Sequence, residues 1–211
     1  MKMSDTKFTN LAYRIETKRL VVRCYNPTDA KLLADSVNES VEHLKPWMPW
    51  AHFEPSPMEE RIKRLQQSRG KFDMGDDFIY GIFNRDESRL IGGTGLHTRL
   101  GENQLEIGYW IHKDFINQGY VTESTAALVR VAFEVLRLHR LEIHCDPGNH
   151  ASAAIPRKLG FMHEGTLREK TPFFDRWSDS MIWSLLESEY PNSPSAKAEI
   201  KVFDAIGNTL L

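Results

Sequence analysis

Only two cysteines, Cys24 and Cys145, occur in 211 residues, and they form no CxxC pair. This argues against a disulfide framework and a cysteine-based zinc site, and a reducing compartment is the expectation. No apolar run approaches the ~20 residues that a membrane span needs. Met1 to Asn10 has no apolar signal core, so a cytoplasmic location and no membrane partner are expected. Positive charge is not in excess: 27 Lys and Arg stand against 29 Asp and Glu, mixed along the chain. The basic stripe that neutralises phosphates is missing, which excludes a typical nucleic-acid partner. There is neither a Walker lysine nor a G-x-G-x-x-G run, so nucleoside triphosphate and dinucleotide sites are not expected. No metal site is expected either.

What is present suits one core. Apolar residues make up 41% and charged residues 27%. Leu20 to Cys24 is β-branched and predicts a first strand. Asn26-Pro27-Thr28-Asp29 is a helix-start signal for Ala30 to Val37, and Pro57 to Ser68 predicts a second helix. Between them, His43 to Phe53 is rich in proline and aromatic residues and is not a regular helix. Three strands separated by turns follow, Phe78 to Phe83, Leu90 to Leu96 and Gln104 to His112, as an antiparallel meander. Apolar residues at helical spacing predict one helix over Thr122 to Leu138. Leu141 to Cys145 reads as a strand, and Ser152 to Leu159 as a short helix closed by Gly160. Gly165 to Lys170 and Trp177 to Leu185 are the last strands. The class is α+β around one central sheet. The expected division is an extension over 1–14, a domain over 15–190 and a loose tail over 191–211.

The chemistry concentrates in Glu106-Ile107-Gly108-Tyr109-Trp110-Ile111 and in Gln118-Gly119-Tyr120-Val121-Thr122-Glu123, which opens the long helix. A strand, a glycine-bearing loop and a helix start make an anion site, because the first amides of a helix lack internal partners. Gly119 lets the backbone approach a diphosphate closely. A single glycine before a helix is nevertheless common in ordinary turns.

These segments resemble the GNAT superfamily of N-acetyltransferases, and most closely its RimJ/RimL-like branch, the ribosomal-protein N-terminal acetyltransferases. Thr17-Lys18-Arg19-Leu20 with Val22-Arg23, Leu44 to Trp50, Gly92 to Gly95, Asn149 to Ser152, and Lys158 to Phe161 with Glu164-Gly165 resemble its other motifs in order. The resemblance implies the GNAT fold: a mixed, mostly antiparallel sheet, helices on both faces, and a V-shaped splay between the fourth and fifth predicted strands. It implies acetyl-CoA as cofactor, entering that splay. Backbone groups of Tyr109, Trp110 and Ile111 would pair with the pantetheine arm. Amides of Asn117, Gln118, Gly119, Tyr120, Val121 and Thr122 would hold the pyrophosphate, and Asn149 would bind the arm from the other side. Three features depart from the pattern. Ile116 and Val121 replace the usual first and last loop residues, Asn117 stands where glycine is common, and Pro156 takes the place of the tyrosine acid.

Direct transfer to an amine needs a base, an oxyanion donor and a donor for the leaving sulfur. Ser152 is the candidate at the sulfur; capping the following helix is its structural alternative. Glu106, on the strand that edges the site, is the candidate base, and His144 a second one; a solvated or amine-binding Glu106 is the alternative. The Ile111 amide is the candidate oxyanion donor. Trp47, Trp50 and Phe53 are candidates for the acceptor pocket, with a core plug as the alternative, and Tyr25, Phe173, Phe174 and Trp177 for its border. Cys145 is expected to be an inert core thiol. The implied function is acetyl transfer to an amine acceptor, first a protein N-terminus. A small-molecule amine, and a non-catalytic acyl-CoA-binding protein, are the other readings. Aromatic residues near the last strands are compatible with a homodimer.

Overall fold

Turn residues between short apolar runs let neighbouring segments pair in sequence order, and this sets most of the sheet. A computed structural model describes Phe8 and residues 10–211. The strands are β1 Arg14–Glu16, β2 Leu20–Cys24, β3 Phe78–Asn84, β4 Leu90–His97, β5 Gln104–Ile111, β6 Arg140–Cys145, β7 Met162–Phe173, β8 Arg176–Leu186 and β9 Lys201–Phe203. The helices are α1 Ala30–Leu44, α2 Met58–Asp73, α3 Tyr120–Arg130 and α4 His150–Lys158. The sheet order is β7-β8-β6-β5-β4-β3-β2-β1-β9. Every neighbouring pair is antiparallel except β5 with β6. The α+β class and the mixed, mostly antiparallel sheet therefore stand as expected.

Helices cover both faces because cross-strand partners share a face and each face needs apolar cover. Buried Val21, Tyr25, Phe83 and Leu90 meet Ala30 of α1 and Leu65 of α2 on one side. On the other, Ile107, Leu141 and Ile143 pack with Ala127, Leu128 and Val131. Arg61 of α2 is also buried, paired with Glu54 at 2.7 Å, with both side chains 2% exposed.

Several boundaries differ from expectation, for local reasons. The helix predicted to run to Leu138 changes to a π turn over Val131–Val135, where the Leu136 amide donates to Val131. Arg137 then takes a positive φ of 57° and stops it. Strand β1 is only three residues long and was not expected. The segment after Pro191 is not loose: β9 pairs with β1 through Val202 opposite Ile15, both fully buried. In the 1–14 extension, Met1 to Lys7 and Thr9 lie outside the described residues, and Tyr13 donates its backbone N–H to Phe203 at 2.9 Å. Among the described residues no helix is long and apolar enough to cross a membrane.

Since Val202 closes the core at the sheet edge, Val202→Ala should lower unfolding free energy by about 2 kcal/mol. Urea melts should show a lower midpoint with an unchanged slope; an unaltered midpoint would mean that the segment contributes nothing to the domain.

Candidate active site

Two strands that part leave backbone hydrogen-bonding groups facing each other across a gap. β5 and β6 pair in parallel from Gln104 opposite Arg140 to Ile107 opposite Ile143, and there the ladder ends. β5 continues to Ile111 while still pairing with β4 on its other side. Beyond Cys145 the Asp146-Pro147-Gly148 turn carries the chain away to α4. Tyr109, Trp110 and Ile111 thus lie on the divergent part of β5, with the side toward β6 unpaired.

One wall of the gap is closed by Tyr109 and α4. The Tyr109 hydroxyl donates to the Ser152 carbonyl at 3.0 Å and accepts from the Ser152 hydroxyl at 3.1 Å. Burial pushes the Tyr109 phenol up, so it stays protonated at neutral pH. The cap of α4 is Asn149, whose Oδ1 accepts the Ser152 amide at 3.0 Å. Ser152 is therefore not the cap, which leaves its hydroxyl for other work. Asn149 retains its amide nitrogen for a further acceptor. Pro156 is buried inside α4 and brings no hydroxyl, but Tyr109 supplies one beside Ser152. Cys145 is a free, buried thiol, pushed up by burial.

The loop at the far end of β5 has the geometry of an anion site. Asn117 and Gly119 take positive φ values of 58° and 80°. Gly119 caps α3 without a side-chain bond, and the first intrahelical bond runs from Glu123 N–H to the Gly119 carbonyl. The amides of Tyr120, Val121 and Thr122 precede that bond and have no helical acceptor. Glu123 would repel an anion here, yet it is engaged elsewhere. It accepts from Thr17 at 2.6 Å and from the Arg19 guanidinium at 2.6 Å. Burial alone would raise this carboxyl, but the bonds from Thr17 and Arg19 hold it below its ordinary range. Arg19 also donates to the Gln118 carbonyl at 3.0 Å and lies 4.3 Å over the Tyr120 ring. Upstream of this loop His112, Glu39 and Asp114 lie together, but both imidazole nitrogens are used. Nε2 faces Glu39 at 3.0 Å, and Nδ1 accepts the Asp114 amide at 3.1 Å.

The opposite face carries the titratable groups. Glu106 is 6% exposed and takes a bidentate contact from Arg99, at 2.7 Å and 2.5 Å. His144 joins it, with Nδ1 3.5 Å from Glu106 and Nε2 2.5 Å from Glu142. Glu106 and His144 are thus brought together, but neither is a free base, since each is held by a charged neighbour. Sequence reasoning missed His97. It lies opposite Glu106 across the β4–β5 pair. Its Nδ1 is 3.0 Å from Asp77, and its ring fills the space over two glycines. A Cβ at Gly108 would stand 3.1 Å from His97 Nε2, and one at Gly95 would stand 2.9 Å from it. Nε2 has no partner among the described residues and lies over Gly108, where β5 leaves β6. The signal was available: two glycines inside adjacent strands mark a close approach by something else.

The three aromatic candidates border three walls of the opening and form no single plug. Trp47 touches the 146–148 turn, where a Cβ at Gly148 would be 4.0 Å from its ring. Trp50 meets Trp110 edge-on, with centroids 6.0 Å apart. Phe53 is 70% exposed and meets Phe174 at the tip of the β7–β8 hairpin. His52 stacks on Phe174 at 4.3 Å and so ties that hairpin to the loop. Trp177 stands exposed nearby in sequence, at the start of β8.

Comparison with known proteins decides the family. The acetyltransferase (GNAT) domain matches residues 19–162. The chain belongs to this family. It is 28% identical over 176 residues to the N-acetyltransferase YnaD of Bacillus subtilis, which covers 83% of this chain and 98% of that protein. It is also 28% identical over 182 residues to the [ribosomal protein uS5]-alanine N-acetyltransferase of Escherichia coli, covering 84% and 92%. Among solved structures, RimL, a ribosomal L7/L12 α-N-protein acetyltransferase in complex with coenzyme A, aligns with a TM-score of 0.74 at 22% identity. That alignment covers 81% of this chain and 95% of RimL and shows the shared fold. The RimJ/RimL-like resemblance stands, and this GNAT domain is an N-acetyltransferase.

One prediction concerns the carboxylate–imidazole network of the site. His144, with Arg140 adding to it against burial, holds the Glu142 carboxyl below its ordinary 4.5. A carboxyl depressed in the fold stabilises it above the unfolded value, and that contribution is lost as pH falls through the folded value. Melting temperature should therefore drop as pH falls below about 4.5, and Glu142→Gln should make this decline shallower. Parallel acid limbs in thermal melts of the two proteins would refute the assignment.

Proposed function

We propose that this GNAT domain transfers acetyl from acetyl-CoA directly to the N-terminal amine of a protein or peptide. The observation that carries this reading is the parting of β5 from β6 after Ile107, with the bare α3 amides at its mouth. An extended thioester arm fits a strand-shaped gap, and a diphosphate fits a helix start beside a positive-φ glycine. The amides of Asn117 to Thr122 would hold the diphosphate, Tyr109 to Ile111 the pantetheine arm, and Asn149 its other side. Coenzyme A supplies the activated acetyl group. A peptide acceptor is favoured because the aromatic rim is open, with Phe53 70% and Phe174 64% exposed. Relatives named for ribosomal-protein acetylation support the same acceptor class.

The roles follow from position. His97, oriented by Asp77, takes the amine proton through Nε2, since Nδ1 faces the carboxylate. Glu106, paired with Arg99, and His144, paired with Glu142, flank this position on the same face. As the amine attacks the thioester carbon, the Ile111 amide donates to the carbonyl oxygen. The carbon–sulfur bond then breaks, and the Ser152 hydroxyl turns from Tyr109 to donate to the departing sulfur, while Tyr109 keeps its bond to the Ser152 carbonyl. No acyl-enzyme is needed.

Thiol release from acetyl-CoA, measured with a panel of peptides and small amines, tests the reading. Mass spectrometry should place the acetyl group on the peptide N-terminus. Acetylation of small amines alone, or cofactor binding without turnover on any acceptor, would replace it. His97→Ala should lower kcat/KM for the amine about 100-fold at neutral pH and leave the KM for acetyl-CoA near wild type; unaltered turnover would remove His97 from the mechanism. Ser152→Ala should reduce kcat about tenfold or more with little change in acetyl-CoA affinity, and equal kcat values would reject its place at the sulfur.

A further inference from the structure

The loop that opens α3 has no cation of its own. Ile116-Asn117-Gln118-Gly119-Tyr120-Val121-Thr122 contains neither lysine, arginine nor histidine. Main-chain amides and the helix dipole are what it offers a phosphate. A guanidinium reaches it from a distant part of the chain, on Arg19, immediately before β2.

Four contacts fix this residue. Its backbone N–H and its Nε donate to the two oxygens of Glu123, at 3.0 Å and 2.6 Å. Nη1 donates to the Gln118 carbonyl at 3.0 Å, and the guanidinium carbon lies 4.3 Å over the Tyr120 ring. Nη2 has no hydrogen bond among the described residues. It lies against the glycine of the loop, since a Cβ at Gly119 would stand 3.4 Å from it. The Arg19 side chain is 40% exposed, so it is open to a ligand arriving from solvent. A guanidinium holds its donors in one rigid plane, so anchoring Nε and Nη1 also settles where Nη2 stands. The rotamer entropy of a long side chain is thereby lost within the fold and not on binding.

Neutralising Glu123 does not require this arrangement. One charge reaching the carboxylate would do that, and a lysine ammonium carries one. The planar fork adds something further: two unused N–H groups beside the glycine over which a phosphate would approach. The Arg19–Glu123 pair is neutral as a unit, so its attraction for a phosphate is short-range hydrogen bonding.

We propose that Arg19 is a cofactor-binding residue, whose Nη2 donates to a phosphate oxygen of coenzyme A beside Gly119. The proposal rests on the acetyl-CoA reading above and adds to it a side chain from outside the loop. Two parts of the cofactor carry phosphate, the diphosphate and the 3′-phosphate, and coenzyme A and dephospho-coenzyme A tell them apart. Calorimetry should find coenzyme A bound about tenfold more weakly by Arg19→Lys and by Arg19→Gln than by wild type. If Nη2 meets the diphosphate, dephospho-coenzyme A loses the same factor. If it meets the 3′-phosphate, dephospho-coenzyme A binds wild type and variants alike. Arg19→Lys keeps a cation for Glu123, and a double variant, Arg19→Gln with Glu123→Gln, leaves no bare carboxylate to repel the ligand. Both should still bind coenzyme A weakly. Wild-type affinity in either one would mean that Arg19 serves only to neutralise Glu123, and it overturns the contact. Thermal melts without ligand establish which variants are folded, and either of these two, once folded, decides. A wild type that binds no coenzyme A removes the acetyl-CoA reading and the proposal together, whereas variants that match a binding wild type remove Arg19 alone.

Discussion

The end of the parallel ladder at Ile107 and Ile143 is the constraint on which the site depends. Buried backbone groups require partners, so a sheet does not part in its middle without a structural reason. Here the reason is built on both sides of the gap. The 146–148 turn directs the chain into α4, and Asn149 caps that helix. Tyr109 reaches across to Ser152 and fixes the distance between the two walls. β4 stays paired with β5 to its end, so the open edge faces one way only. Extended ligands that hydrogen-bond like a strand suit such an edge.

Charge placement along β5 follows from the same parting. At the loop end, Arg19 engages Glu123 and Gln118 and covers Tyr120, so the first turn of α3 presents amides with its one acid neutralised. This explains how the loop tolerates Ile116 where relatives of this fold class were expected to carry a polar residue. The guanidinium arrives from the start of β2 instead of from the loop itself. At the ladder end, Arg99 neutralises Glu106, and His97 with Asp77 takes the space that Gly95 and Gly108 leave. Each end of the strand's divergent half thus carries its own paired charges.

Much of this was legible in the amino-acid sequence, for physical reasons that can be named. Strands β3 to β6 are short apolar runs bounded by turn residues, and α3 shows a clean apolar period. The splay, by contrast, was implied by the family resemblance and not by the residues. Nothing in Gln104 to Ile111 alone says where pairing with β6 stops. The three-residue strands β1 and β9 lie below the length at which alternation is readable. The π turn at Val131–Val135 keeps apolar residues on the core face, so it mimics continued α-helix. His97 was passed over because its partner Asp77 is distant in sequence and its place depends on cross-strand register. Asn149, expected only at the cofactor, also caps α4, which freed Ser152 from the structural role it was weighed against.

The aromatic loop shows why residue type and spacing underdetermine a pocket. Trp47, Trp50 and Phe53 lie within seven positions, yet each meets a different wall: the turn before α4, strand β5 and the β7–β8 hairpin. Trp47 lies before the 3-10 turn over Pro49–Phe53, and Trp50 and Phe53 stand one turn apart within it, so the three rings sit at different heights along the loop and meet different neighbours. The loop therefore links three elements that otherwise share few contacts. Through the His52–Phe174 stack it also holds the hairpin tip over the reaction face. The sheet thus fixes the gap between β5 and β6, while the loop and the hairpin are fixed by aromatic contacts with each other.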